Sequence, residues 1–264
     1  MSMKRYLKLF LIQFRASLQL ALAYRVEFFF EGLTALFWSA TTFVPIFVVY
    51  DQCDAIGGWS FGESLLVLGF FLLLKSILEG AVNPSLLTVV ERIRQGTLDF
   101  VLLKPADAQF LVSTAKFEPS AVIGLVASFG LLGTALMKLG RVPTPAAIIA
   151  AILLVMTSVV LLYSLWILVV SAAFYVVRVD NLSYLLTSVF DAARWPSSVF
   201  KGALHLVFTF VIPLALMTTF PAEAVLGRLT LPEALGGVAG AAVFALFARV
   251  VWLGSLARYT SASS

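Results

Sequence analysis

The sequence predicts an all-α integral membrane protein: a helical bundle of about six transmembrane helices preceded by an amphipathic interfacial helix. Composition is the first reason, because 61% of the 264 residues are hydrophobic and 12% are charged, with a mean hydropathy of +1.02. Such values are far from those of a soluble globular domain. The second reason is that apolar blocks long enough for helices of ~20 residues recur, whereas barrel strands would alternate in polarity every second residue.

Hydropathy places the six spans along most of the chain. They cover residues 28–50, 61–83, 117–137, 146–177, 203–220 and 234–254. The polar connections are too short to bury a second core, so we expect a single transmembrane domain over residues 1–264.

Residues 1–26 are expected to form an amphipathic helix in the headgroup plane. The alternative is a cleaved signal peptide, but Gln13 and Arg15 interrupt the apolar core that such a peptide requires. At helical spacing, polar residues fall on one side and apolar residues on another: Lys4, Lys8, Arg15 and Gln19 against Tyr6, Phe10, Phe14 and Ala21.

The distribution of Lys and Arg predicts that both termini are cytoplasmic, because cytoplasmic segments of membrane proteins are enriched in these residues. In that orientation the outside carries only Lys138, Arg141 and Arg228, and the segment around Lys201 is inside. Residues 84–116 then form a cytoplasmic loop between the second and third spans. The net charge of +4 reflects this asymmetry, and we expect no nucleic-acid partner.

This loop contains a charged, turn-prone stretch, ERIRQGTLDFVLLKP, at residues 91–105. Leu86, Val90 and Ile93 recur at i, i+4 and i+7, which predicts a short amphipathic helix over residues 85–95. Gly96 can end this helix in the left-handed conformation.

A second short helix is expected directly after the glycine. Thr97 can cap it, Asp99 lies in its first turn, where the helix dipole favours an anion, and Pro105 ends it. The two helices would form a compact cytoplasmic unit suited to docking a partner. A plain solvated connection is the alternative.

Lys75 and Glu79 are the clear pair of charges inside a span. Their i, i+4 spacing puts both on one face of the second span, so each can neutralise the other. Either they form a structural pair buried against a neighbouring helix, or they act as a polar latch on the inner side of a translocation path.

Motifs for chemistry are lacking in the sequence. It contains no G-x-x-x-x-G-K-[ST] motif for nucleotide phosphates, and one His and one Cys cannot form a zinc site without several carboxylates nearby. We therefore expect no catalytic residue, no metal and no cofactor in this chain, and any energy source must lie in another chain.

The run at residues 91–105 resembles the first cytoplasmic loop of the permease subunits of type-2 ABC exporters, where this element seats on the ATPase subunit. Residues 200–229 resemble the penultimate span and following external turn in one bacterial branch of that class. The resemblance implies a permease of the bacterial inner membrane that undergoes alternating access. By the resemblance, the ATPase-docking residues are Val90, Glu91, Arg92, Ile93, Arg94, Gln95, Gly96, Thr97, Leu98 and Asp99.

The resemblance also implies the partners and the path. Two ABC ATPase subunits would bind ATP and Mg, and a second permease, identical or a sister subunit, would complete the path within membrane lipid. The first and fifth spans would face that path and suit a hydrophobic or amphipathic substrate; the candidate lining residues are Trp38, Thr41, Thr42, Thr209, Pro213 and Met217.

Two other classes stay open. A membrane-embedded enzyme would need a reactive constellation within a span, and none is visible. An ion-coupled transporter usually shows related halves with interrupted helices, and no convincing internal repeat is present.

Overall fold

The computed structural model describes residues 3–175 and 180–259. Within these residues, five helices are long and apolar enough to cross a membrane. The strands described there, β1 (Ala55–Ile56) and β2 (Trp59–Ser60), pair antiparallel as a small hairpin. The predicted all-α membrane bundle is confirmed.

Five of the six predicted spans correspond to long helices, although the end of the predicted fourth span, residues 176–177, lies outside the described residues. A π-helical segment, Leu78–Val82, joins α3 to α4 in one helix of 34 residues, and a 3-10 turn, Pro119–Ala121, precedes α7. The helices are α1 Met3–Ala23, α2 Arg25–Tyr50, α3 Phe61–Ile77, α4 Asn83–Arg94, α5 Asp99–Leu102, α6 Ala108–Ser113, α7 Val122–Leu139, α8 Pro145–Ala172, α9 Asp180–Phe190, α10 Ala203–Leu206, α11 Phe220–Leu226 and α12 Leu231–Leu256.

The bundle has two ends, which we name by their connections. The β-hairpin end holds residues 51–60, and the α5–α6 end holds residues 95–118. The helix formed by α3 and α4 is the central one, since 72% of its apolar window is buried, against 17% for α2 and for α12. Phe71 of this helix packs on Phe190 of α9, with ring centroids 5.3 Å apart.

The predicted span over residues 203–220 is wrong. Residues 203–226 instead form a helical hairpin that starts and finishes near the β-hairpin end. Ser198, just before it, donates a hydrogen bond to the Gly57 carbonyl, and Arg228, just after it, pairs with Glu63 at the start of α3. The chain therefore enters the bundle and leaves it at the same end.

Pro213 explains the turn of this hairpin. Proline has no N–H to continue a helix, and it pushes the preceding residue out of helical conformation. Ile212 accordingly has φ −123° and ψ 85°, between the π-helical segments Val207–Val211 and Ala215–Thr219. Hydropathy records that this stretch is apolar, but not that it reverses direction.

The segment before the hairpin, from α9 to Ser198, makes the crossing that was predicted for residues 203–220. Tyr184 lines the same cavity as Glu79 and Glu118, whereas Ser198 reaches Gly57 at the β-hairpin end. This segment is interrupted by 3-10 turns at Asp191–Arg194 and Ser197–Val199, so it does not show as one long helix. As a consequence Lys201 lies near the β-hairpin end, not on the predicted inner side with residues 84–116.

Candidate functional site

The loop at residues 95–118 begins with a Schellman turn at Gly96. Gly96 has φ +67°, the Thr97 N–H donates to the Arg92 carbonyl at 2.9 Å, and the Gly96 N–H donates to the Ile93 carbonyl at 3.2 Å. These two bonds satisfy carbonyls that the end of α4 would leave unpaired. Leu86 and Val90 are buried as the predicted apolar stripe requires.

The second helix is shorter than expected. α5 spans Asp99–Leu102, and its N-cap residue is Leu98, with no side-chain hydrogen bond at the cap. Thr97 is therefore not the cap, because it lies one residue before Leu98 and belongs to the Schellman turn. Asp99 does lie in the first turn of α5, as predicted.

The surface of this loop has an apolar tip. Phe100 and Leu103 are 71% and 81% exposed, while the neighbouring Leu98 and Val101 are buried. One face of α5 thus packs inward, and the opposite face leaves two large apolar side chains uncovered. Exposed polar residues surround the tip: Glu91, Arg94, Gln95 and Lys104.

A polar network holds the loop against the bundle. Arg249 of α12 bonds Asp107 at 2.6 Å and the Gln109 side chain at 2.5 Å. Gln109 donates to the hydroxyl of Tyr163 in α8 at 3.0 Å, and Ser113 lies 2.6 Å from the same hydroxyl. The network therefore connects α6 to two long helices through charged and neutral hydrogen bonds.

Asp107 is the centre of this network and also the N-cap of α6, where its carboxylate accepts from the Phe110 N–H at 2.9 Å. Partial burial disfavours its charged form, but the hydrogen bonds from Arg249 and from the Phe110 and Gln109 backbone outweigh burial. They hold the pKa of Asp107 below its ordinary value. The carboxylate is therefore charged at neutral pH.

The amino-terminal helix also contacts the loop, on the apolar side predicted for it. The Tyr6 ring lies edge-on to Phe110 at 4.7 Å, and Phe10 and Phe14 both pack on Phe117. Its polar groups reach the loop as well, since Ser17 accepts from the Phe117 N–H at 3.0 Å. A movement of the loop would therefore also displace α1.

Two further bonds fix the end of the loop to the central helix. The Ser85 hydroxyl donates to the Lys116 carbonyl at 2.6 Å, and the Glu118 N–H donates to the Gly80 carbonyl at 2.8 Å. Gly80 belongs to the π-helical segment, where the wider helical turn alters the i→i−4 bonding. The loop is thus connected directly to the irregular part of the central helix.

The intramembrane charges lie in a cavity between α2, α3, α7 and α9. The Lys75 ammonium is 3.7 Å from the carboxylate of Asp191, a partner that the sequence did not predict. Glu79 lines the same cavity, within electrostatic reach of Lys75 and Asp191. A direct pair between Lys75 and Glu79 stays a prediction.

The candidate path residues fall into two separate places. Trp38 and Thr42 line the cavity that contains Lys75, and Thr41 beside them donates a hydrogen bond back to the Trp38 carbonyl. Met217 is fully buried. Pro213 is buried. Thr209 lies in the same hairpin, before Pro213, and its buried hydroxyl lacks a hydrogen-bond partner among the described residues.

Sequence reasoning missed the polar network, although two signals for it exist. Asp107 precedes an apolar run in the manner of an N-cap residue. Arg249 is a cation within the last apolar span, and such a residue needs a partner. Neither signal identifies the partner, because Asp107 and Arg249 are far apart in the sequence.

Comparison with protein families places this chain in a known class. The family model described as ABC-2 family transporter protein matches residues 36–263, so the chain belongs to that family. It is a multi-pass membrane protein and a permease of an ABC transporter, a class that associates with ABC ATPase subunits. Searches of curated proteins and of solved structures gave no significant match.

Proposed function

We propose that this chain is the translocating subunit of an ATP-driven exporter, and that residues 84–116 are the surface on which its ATPase docks. The exposed tip at Phe100 and Leu103 carries the proposal, because a partner that covers it would bury two large apolar side chains. Basic residues around the tip would steer an acidic groove toward it.

The fixation of this loop supports a mechanical role. Arg249 and Tyr163 hold α6 to the two long helices α12 and α8, and Glu118 bonds to Gly80 in the central helix. A displacement imposed on the tip is therefore passed to three helices through short hydrogen bonds, which is the connection that alternating access requires.

The proposed assembly contains two ATPase subunits, which bind ATP and Mg, and a second permease, identical or a sister subunit. We propose the bacterial inner membrane as its location, with both termini and the α5–α6 end in the cytoplasm. The basic residues of α1, α4 and residues 95–118 lie at or beside one end of the bundle, which agrees with the positive-inside rule. Lys201 lies near the other end.

Affinity purification from the native membrane tests the proposal. We expect an ABC ATPase to co-elute with the wild-type chain, and transport to require ATP hydrolysis. Gly96→Val should reduce recovery of the ATPase, because a β-branched residue resists the left-handed conformation by ~1–2 kcal/mol. Reversing Arg92 and Arg94 to Glu should also weaken association, while Arg141→Glu, near the other end, should not.

Other outcomes would assign the chain to another class. Transport driven by a proton or sodium gradient with no ATP requirement would identify an ion-coupled transporter. Turnover of a lipid or peptide by the purified chain alone would identify a membrane-embedded enzyme. Either result would overturn the proposal.

A further inference from the structure

The cavity that contains Lys75 is large and carries an unbalanced charge. Its volume is about 1060 Å³, and it extends from Glu118, next to the α5–α6 end, to Thr42 and Leu72 deeper in the bundle. Four carboxylates face one ammonium in its lining: Glu27, Glu31, Glu79, Glu118 and Lys75.

Local pairs neutralise only part of this charge. Lys75 pairs with Asp191 at 3.7 Å, and Glu118 pairs with Lys116 at 2.6 Å.

Three carboxylates in the cavity then remain without a salt bridge. Within residues 3–175 and 180–259, Glu27, Glu31 and Glu79 form no ion pair. Charged groups within a bundle are tolerated only where they face a water-filled space or an opposite charge, so three carboxylates without a salt bridge favour a cation in the cavity.

The walls of the cavity add two features that an inorganic ion would not need. Phe30, Trp38 and Tyr184 present aromatic rings, and the two last are 59% and 74% exposed. Aromatic faces attract organic cations and also accept apolar groups. Ser120, only 7% exposed, lines the cavity, and its hydroxyl makes no hydrogen bond within the residues described.

From this combination we infer that the cavity binds an organic cation with an apolar, aromatic-sized body. The carboxylates attract the positive charge, the aromatic rings contact the body, and the Ser120 hydroxyl is available to a polar group. The binding site stands on the cavity alone. The further step, that such cations are the molecules transported, rests on the proposed function.

Binding of tetraphenylphosphonium tests the inference, with tetraphenylborate as an ion of matched shape and opposite charge. Equilibrium dialysis in dodecyl maltoside needs neither ATP nor the ATPase. We expect wild-type protein to bind the phosphonium at least about tenfold more tightly than the borate. Equal affinities, or no saturable phosphonium binding, would overturn the inference without any mutation.

Variants then locate the site. Glu31→Gln combined with Glu79→Gln should weaken phosphonium binding about tenfold or more, and Trp38→Leu about threefold. Asp51→Asn, which removes an exposed carboxylate at the β-hairpin end, is the matched control and should leave affinity unchanged. An equal loss in the control would place the binding elsewhere and overturn the assignment.

The source of the cation is tested by competition. Excess dihexanoylphosphatidylcholine should displace the phosphonium poorly. If it displaces the phosphonium as strongly as unlabelled phosphonium does, the occupant is a lipid headgroup, and the inference that the site binds a free cation is overturned. The two proposals fail separately. Loss of ATPase co-purification with intact phosphonium binding refutes the exporter, whereas failure of phosphonium binding with intact co-purification refutes only the cation site.

Discussion

Arg249 is the residue on which the position of the docking loop most depends. Its guanidinium contacts both Asp107 and Gln109 at the start of α6. The pair with Asp107 is partly exposed, at 38% and 36% of the two side chains, so solvent screens it. We assign the pair itself at most ~1 kcal/mol of stability; its main effect is to fix geometry.

The lowered pKa of Asp107 gives this pair a defined pH dependence. Because the folded state holds the proton more weakly than the unfolded state, the unfolded state takes up more protons as pH falls, and the stabilisation disappears. We expect wild type to melt above Asp107→Asn at pH 7, with the difference shrinking below pH ~4. Thermal melting in detergent measures it, and coincident curves at every pH would contradict the pairing.

The sequence identifies which charged residues need partners, but not which residues those partners are. Lys75 is an intramembrane charge that must be neutralised, and its spacing from Glu79 suggests a local solution. The structure also brings Asp191 to it, from a segment much later in the chain. Gly96 is predictable for the opposite reason, because its role is local to one helix end.

Among the elements, the contact of α3 with α7 holds the centre of the bundle together, and glycine makes it possible. A Cβ on Gly124 of α7 would overlap the Ser76 hydroxyl, and a Cβ on Gly69 of α3 would lie 2.6 Å from Leu132. Small residues let two helix backbones approach where lipid supplies no hydrophobic drive for association. Gly124 therefore permits the close approach of α7 to α3.

Gly124→Val should lower the free energy of unfolding by about 1–3 kcal/mol, since the added side chain overpacks this contact. Gly130→Val in the same helix is the matched control, because nothing lies within 4 Å of a Cβ there. Thermal melting of the two variants in detergent compares them directly. Equal melting temperatures would show that the helices are not packed as described.

Five of the long helices were predictable because length and hydropathy are properties of the chain itself. The hairpin at residues 203–226 was not, since its apolar composition fits either a span or a reversal. Pro213 is the physical cause of the reversal, but a proline inside a long helix can also be tolerated, as Pro45 is in α2. Whether a proline reverses the chain or stays inside a helix depends on the side chains packed around it, and the sequence does not show which these are.

For the molecule as a whole, the orientation in the membrane decides what the α5–α6 end can meet. The native Cys53 is exposed at the β-hairpin end. We expect a membrane-impermeant thiol reagent to label it only from outside. Phe100→Cys in a Cys53→Ser chain should be labelled only from the cytoplasm, and the reverse pattern would overturn the orientation.

The most direct test of the docking surface removes its apolar tip without altering the fold. Phe100→Ser combined with Leu103→Ser should leave melting unchanged, since both side chains are exposed, but should sharply lower recovery of the ATPase and ATP-dependent transport. Val142→Ser, which changes a residue 94% exposed near the opposite end, should leave both at wild-type level. If the double variant keeps full ATPase recovery and full transport, residues 84–116 are only a connection and the account is wrong.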